Sequence, residues 1–245
     1  MGSIVENYAR VGRFTSSKIS LLMDKPRNKS SLFSAGATTY IKNKANERML
    51  GRSLDLGRSG SSAQWGLFLE QYVFNEFTGT EYKIMANESV IYNDYLAGSA
   101  DLIVDGVKVS DIKCFEPEKF CNYSNMINSQ DIERFKAEFK CEYWQLVSNA
   151  IINNVPNAEA IAYMPTLEEL EEIKELAENY EGADQWKYRF IVESPLHQLP
   201  YIPNESKYNN LNKFEFFVPQ EDKEFLLERV KLAGSELQKF TEWML

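Results

Sequence analysis

Residues 97–115, AGSADLIVDGVKVSDIKCF, constrain the fold more than any other part of this chain. Two short aliphatic runs flank Asp105-Gly106, the pattern of a β-hairpin. Yet the runs carry Asp101, Asp111 and Lys113, and burying an unpaired charge in a strand is costly. Asp111 and Lys113 are two apart and point to one face. Whether Asp101 joins them depends on the turn. A two-residue Asp105-Gly106 loop pairs Asp101 with Ser110 and sends the aspartates to opposite faces. A three-residue loop, Asp105 to Val107, pairs Asp101 with Asp111. Then Asp101, Ile103, Val107, Val109, Asp111 and Lys113 share a face. Opposed carboxylates repel unless a cation sits between them. The residues alone leave two readings open: a surface hairpin whose Asp–Lys pair contributes little, or a site.

The site reading suits phosphodiester hydrolysis. Two carboxylates hold one or two divalent ions, which lower the pKa of a bound water and stabilise charge developing on the phosphate. Lys113 neutralises that charge or orients the water, and a lysine so placed can have a lowered pKa. Glu70 is a third candidate carboxylate. It lies at the edge of the apolar stripe Trp65, Leu69, Tyr72 and Val73 on a helix expected over 63–77. Its side chain leans back over Gly66, where a glycine leaves room for an ion or a DNA strand. A solvated helix edge is the plainer reading of Glu70.

Composition narrows the metal. The chain has one histidine, His197, and three cysteines, Cys114, Cys121 and Cys141. A multi-histidine centre and a four-cysteine zinc or iron–sulfur site are therefore excluded, and carboxylates favour Mg²⁺, Mn²⁺ or Ca²⁺. An odd cysteine count fits a reducing cytosol better than a disulfide framework. The longest apolar runs fall well short of the roughly 18 residues of a membrane span. The opening MGSIVENYARVGRF does not read as a secretory signal. The net charge of −9 hides an asymmetry: residues 1–62 hold 11 Lys/Arg against 4 Asp/Glu. A basic first quarter on an acidic body is a possible anion-binding face, or an ordinary fluctuation of charge.

Elsewhere the pattern predicts a short helix from about Ile19 to Met23, capped by a hydroxyl of Thr15, Ser16 or Ser17. A helix over 34–50 is closed by Gly51. Its Lys42, Lys44 and Arg48 either line a DNA channel or sit on a plain exposed face. A Gly/Ser-rich loop spans 52–62. Strand-like segments lie at 82–92, 97–104, 107–115, 158–164, 186–193 and 213–218. Helices are expected over 130–153, 167–181 and 220–243. Residues 168–184 hold eight acidic residues, read as a solvated face, a wall that steers DNA, or a partner-binding helix. The expected fold is α/β (α+β), a single domain with a central mixed β-sheet flanked by helices. It comprises a basic helical part (1–62), a core (63–164) and closing strand and helix elements (165–245).

The order of motifs resembles the PD-(D/E)XK nuclease superfamily. Gly66-x-x-x-Glu70 stands on a helix, Ser99-x-Asp101 on a strand and Asp111-x-Lys113 on the next, and Gln145 follows on a later helix. Within it the chain looks most like the phage lambda-exonuclease (YqaJ-type) recombination nucleases, whose opening Arg…Thr-x-Ser signature is similar to Arg10…Thr15-Ser16-Ser17. The likeness spans about residues 8–150. It departs at Ala100, where proline is frequent, at Asp111, where glutamate is frequent, and at Val147, where a second glutamine is frequent. The resemblance implies a restriction-endonuclease-like core. It implies Asp101, Asp111 and the Ile112 carbonyl as metal ligands, Glu70 as a direct or water-mediated ligand, and Lys113 as the catalytic lysine. Arg10 and Ser17 would hold a phosphate near the DNA end, with Gln145 behind the site. It further implies a Mg²⁺- or Mn²⁺-dependent 5′→3′ exonuclease on linear double-stranded DNA ends. A single-strand annealing protein would be its partner, copies would assemble as a ring, and it would act in a bacterial host's cytoplasm. The rival readings are an endonuclease or repair-type nuclease on the same core, and a catalytically silent DNA- or protein-binding module.

Overall fold

The computed structural model describes residues 8–55, 60–85 and 88–244. The tip of the 52–62 loop and part of the strand expected over 82–92 lie outside them. Two sheets form where one was expected. Strands β1 (Phe14–Thr15), β3 (Val90–Ile91) and β4 (Leu96–Gly98) make a small mixed sheet in the order β1-β4-β3. Strands β2 (Lys83–Ile84), β5 (Leu102–Val104), β6 (Lys108–Lys113), β7 (Asn157–Tyr163) and β8 (Leu211–Phe217) make the main sheet in the order β2-β5-β6-β7-β8. In the main sheet only β6 and β7 run parallel.

The single strand expected over 97–104 is therefore two, joined by a bend at Ser99–Asp101 that carries the chain from one sheet to the other. The break follows from packing at Gly98. A Cβ there would lie 2.0 Å from Ser16 Oγ and 2.9 Å from Asn149 Oδ1. The chain passes this crowded point as glycine and then turns away.

Helices cover both faces of the main sheet. Helix α2 (Ser61–Phe77) buries Trp65, Leu69 and Val73 on one face, with Leu102, Ile112 and Ile161 beneath them. On the other face lies α5 (Lys140–Ile152). There β7 presents Ala158, Ala160 and Ala162, whose small side chains let a helix approach closely. Helix α1 (Ala35–Leu50) begins as expected, with Ser34 Oγ accepting from the Ala37 N–H. It ends at Gly51, whose φ of 75° suits glycine. Helix α6 (Leu167–Glu178) starts with a reciprocal cap between Thr166 and Glu169. Helix α8 (Gln220–Met244) closes the chain.

Several expectations are corrected. The helix expected over 130–153 is broken at Phe139 into α4 (Ile132–Glu138) and α5. An additional helix, α3 (Pro117–Ser129), precedes it, its proline in the first turn where no N–H partner is lost. Residues 186–193 are not a strand. A 3-10 turn over Gln185–Lys187 leads into α7 (Arg189–Glu193). Tyr188 and Ile191, three apart, are the buried residues, and Arg189 pairs with Glu193 at 2.5 Å. The alternating sequence mimics a strand, but burial follows the helical period. The segment Ser16–Met23 is a 3-10 helix, and Thr15 makes no side-chain cap.

Candidate active site

The hairpin takes the three-residue turn. Leu102 pairs with Ser110, Ile103 with Val109 and Val104 with Lys108. Residues 105–107 make the loop, with Gly106 at a φ of 71°. One step further, this register sets Asp101 opposite Asp111, and the Asp101 N–H donates to the Ser110 carbonyl (3.2 Å). Val107 does not join the shared face; it stands exposed at the turn.

Asp101 thus sits on the bend between the two sheets, at the mouth of the main one. Its Oδ2 accepts from the Ile112 N–H at 2.6 Å. A hydrogen bond joins it to Glu70 of α2. Asp111 is buried, 1% exposed. Gln145 of α5 bridges the next two groups. Its Nε2 donates to Asp111 Oδ1 (2.5 Å) and its Oε1 accepts from Lys113 Nζ (3.3 Å). Lys113 Nζ lies 2.6 Å from Asp111 Oδ2. That oxygen is buried and has an ion-pair neighbour but no hydrogen bond of acceptable geometry. The result is a continuous chain, Glu70–Asp101–Asp111–Lys113, with Gln145 behind it.

The electrostatics follow. Burial pushes Asp111 up to about 7, against the pull of Lys113. Burial and the neighbouring Glu70 push Asp101 up to about 7. Glu70 is raised too, chiefly by burial. Burial alone would lower Lys113, but Asp111 and Asp101 outweigh it and hold it above an ordinary lysine. Without a metal or phosphate beside it, the surrounding carboxylates keep this ammonium charged.

Among the described residues, no three Asp, Glu, His or Cys side chains converge as a finished metal-ligand group. The residues nevertheless fit a hard divalent cation. Crowded, desolvated carboxylates repel one another, and the buried Asp111 Oδ2 lacks a hydrogen bond. A cation would relieve both conditions.

The remaining expected residues divide. Arg10 comes to the site's edge, where its Nη2 donates to Ser99 Oγ (3.4 Å), two residues before Asp101. Its Nε is buried without a partner, and burial lowers its pKa. A desolvated guanidinium with this little compensation suits an anion. Ser17 does not meet it; Ser17 is exposed, with its Oγ 3.5 Å from Thr15 Oγ1. Gly66 faces the exit of β6, where a Cβ would come into ordinary contact with the Cys114 carbonyl at 3.5 Å. Lys44 and Arg48 do not line a channel. Lys44 is buried against Glu47, and Arg48 Nε donates to the Gly12 carbonyl (2.8 Å). His197 lies in the short 3-10 turn Leu196–Gln198.

Three solved structures resemble this architecture. The alkaline exonuclease LHK-Exo from Laribacter hongkongensis matches with a TM-score of 0.62 at 12% identity, over 96% of this chain and 93% of that one. The same enzyme in complex with dAMP matches with a TM-score of 0.63 at 12% identity, over 97% and 93%. A phage related exonuclease from Haemophilus somnus 129PT matches with a TM-score of 0.60 at 14% identity, over 95% and 96%. The chain has the fold of these exonucleases. No family model matches it, and no curated protein matches its sequence.

The structure also brings in residues that the sequence reading passed over. Glu142 is buried beside Asp111 and Lys113 and pairs with Lys119 of α3 at 2.7 Å. Asn149 Nδ2 donates to the Ser99 carbonyl (3.0 Å) and Ser148 Oγ lies 2.9 Å from Ser16 Oγ. Glu142, Gln145 and Asn149 recur at helical spacing in an otherwise apolar helix. That buried polar stripe was the available signal.

Proposed function

We propose that this chain is a metal-dependent deoxyribonuclease that digests linear double-stranded DNA from its ends in the 5′→3′ direction. The observation that carries the reading is the Glu70–Asp101–Asp111–Lys113 chain, Asp111 buried and the other three half-buried, at the point where the two sheets part. The likeness to solved exonucleases supports the same reading.

Asp101 and Asp111 would hold Mg²⁺ or Mn²⁺, with the Ile112 carbonyl and Glu70 completing the donors. The bound ion would activate water and stabilise charge on the scissile phosphate. Lys113, held protonated, places a positive charge beside the phosphate and donates a hydrogen bond to it. Gln145 fixes Asp111 and Lys113 relative to each other. Arg10 takes a terminal phosphate, supplying the desolvated charge, and Ser17, which the structure leaves apart from Arg10, is not needed for it. A single-strand annealing partner, a ring of subunits, phage recombination and a cytoplasmic location belong to this reading, and the sequence resemblance supports them. Among the described residues no helix is long and apolar enough to cross a membrane.

Linear duplex and closed circular DNA, incubated with Mg²⁺, Mn²⁺ or EDTA, test the proposal, with Lys113→Ala run alongside. Loss of the linear DNA alone, dependent on metal and abolished in the variant, is expected. Cutting of the circle would make the enzyme an endonuclease. Inactivity towards both would leave a DNA- or protein-binding module.

A further inference from the structure

We propose that Lys44 and Glu47 are positioning residues: their buried ion pair clamps the turn that carries Arg10, and so aims its guanidinium at a terminal phosphate. The proposal rests on the reading of Arg10 as a phosphate ligand.

Both residues lie on the inward face of α1, Lys44 7% and Glu47 4% exposed. Their charged groups are 2.7 Å apart. Lys44 Nζ also donates to the Arg10 carbonyl (3.3 Å), and the Gly12 N–H donates to Glu47 Oε2 (3.0 Å). The pair therefore grips the main chain on both sides of Val11. The other oxygen, Glu47 Oε1, accepts from the Leu54 N–H (3.3 Å). One carboxylate thus holds both the Arg10 turn and the segment that leads towards α2, the helix of Glu70. Gly12 has a φ of 65°, and a Cβ there would lie 2.2 Å from Arg48 Cγ. The turn is shaped for this one fit.

Packing does not explain the pair. Taking two charges out of water is expensive, and apolar residues of similar volume often fill such a place at no loss of stability. What they cannot do is hold one carbonyl and two N–H groups at fixed points. Arg10 needs such an anchor. It makes no ion pair among the described residues, and its guanidinium meets Ser99 Oγ at a long 3.4 Å. Its own contacts do not place it, whereas the clamped backbone does. Glu47 neutralises Lys44, so the clamp adds no net charge to compete for the phosphate.

The test compares linear duplexes ending in a 5′-phosphate or a 5′-hydroxyl. Wild type, Arg10→Ala, Glu47→Gln and the double variant Lys44→Met/Glu47→Leu are measured for kcat, KM and melting temperature. Wild type should prefer the phosphorylated end, and Arg10→Ala should lose that preference. The double variant, folded and with both charges removed, should lose roughly tenfold to a hundredfold of it through a raised KM for the phosphorylated end. Glu47→Gln, which turns an amide donor towards donors, should lose part of it. A folded double variant with full preference, beside an Arg10→Ala protein without it, overturns the clamp and leaves the Arg10 reading standing. Should the double variant fail to fold, an unchanged preference in Glu47→Gln overturns it instead. If wild type treats both ends alike, the Arg10 reading falls and the clamp with it.

Discussion

Strand β6 carries buried charge at both ends, and the two ends are built on opposite principles. At its start, Lys108 Nζ donates to Glu159 (2.9 Å) and Glu215 (2.8 Å), while Ser110 Oγ and Tyr82 OH also donate to Glu159 (2.8 and 3.0 Å). Each Glu159 oxygen has a donor. Burial alone would lower Lys108, but its bonds to Glu215, Tyr82 and Glu159 hold it up. At its end, Asp111 faces Asp101, Asp101 bonds Glu70, and burial raises all three carboxyls. The first cluster is satisfied in its hydrogen bonds, as a structural network is, and its second carboxylate, Glu215, reaches solvent. The second holds more negative charge than its partners compensate, which is the condition of a group awaiting a cation or a substrate. The alternation of the strand keeps them apart: Lys108 and Ser110 point to the α2 side, Asp111 and Lys113 to the α5 side.

The comparison breaks most visibly through stability. Lys108→Met leaves Glu159 buried without its cation and should cost about 3–5 kcal/mol in denaturant unfolding, while any protein that remains folded keeps its metal-dependent cleavage. Equal loss of activity and stability would mean that the start of β6 belongs to the site. Asp111→Asn should do the reverse. Nuclease turnover should drop by about 10²–10³-fold, and the melting temperature of the metal-free protein should hold or rise, because a crowded carboxylate is gone.

A smaller effect sharpens the contrast through pH. Asp101 and Asp111 bind protons more tightly in the folded chain than in the unfolded one. Their contribution to stability is therefore fully present below about pH 4. It is lost as the pH rises through about 7. In EDTA the melting temperature should fall over that window, by about 2–4 °C per kcal/mol in a chain of this size. Millimolar Mg²⁺ should restore it most at the alkaline side, where the ligands are ionised. Asp111→Asn should flatten the curve. An unchanged slope in that variant would place the titration elsewhere.

Much of this arrangement was legible in the residues. Hydrophobic spacing marked α1, α2, α6, α8 and β8, because those elements bury one clear face, and a short, mostly apolar run marked β7, which is buried on both faces. The apolar periodicity failed where two structures share one pattern. In 186–193 alternation concealed a helix, and over 97–104 one strand-like stretch concealed a change of sheet. The break at Phe139 has no local signal of the Gly or Pro kind.

The residues alone set the chemistry available: carboxylates and a lysine on a hairpin, one histidine, three cysteines, and so no multi-histidine or four-cysteine centre. They also determined that Asp111 and Lys113 share a face, since strand geometry has a fixed period of two. They did not determine whether Asp101 meets them, because a turn of two or three residues satisfies the same Asp105-Gly106 pair. The tertiary structure decided that. Pairing β6 between β5 and β7 fixes a register in which Ile103 and Val109 are buried together, and a one-residue slip would turn these apolar side chains to the wrong face. The same packing decided which basic residues of the first quarter are free. Lys44 and Arg48 are consumed in holding the turn, and Arg10 is left facing the site, a division that charge counting along a chain does not contain.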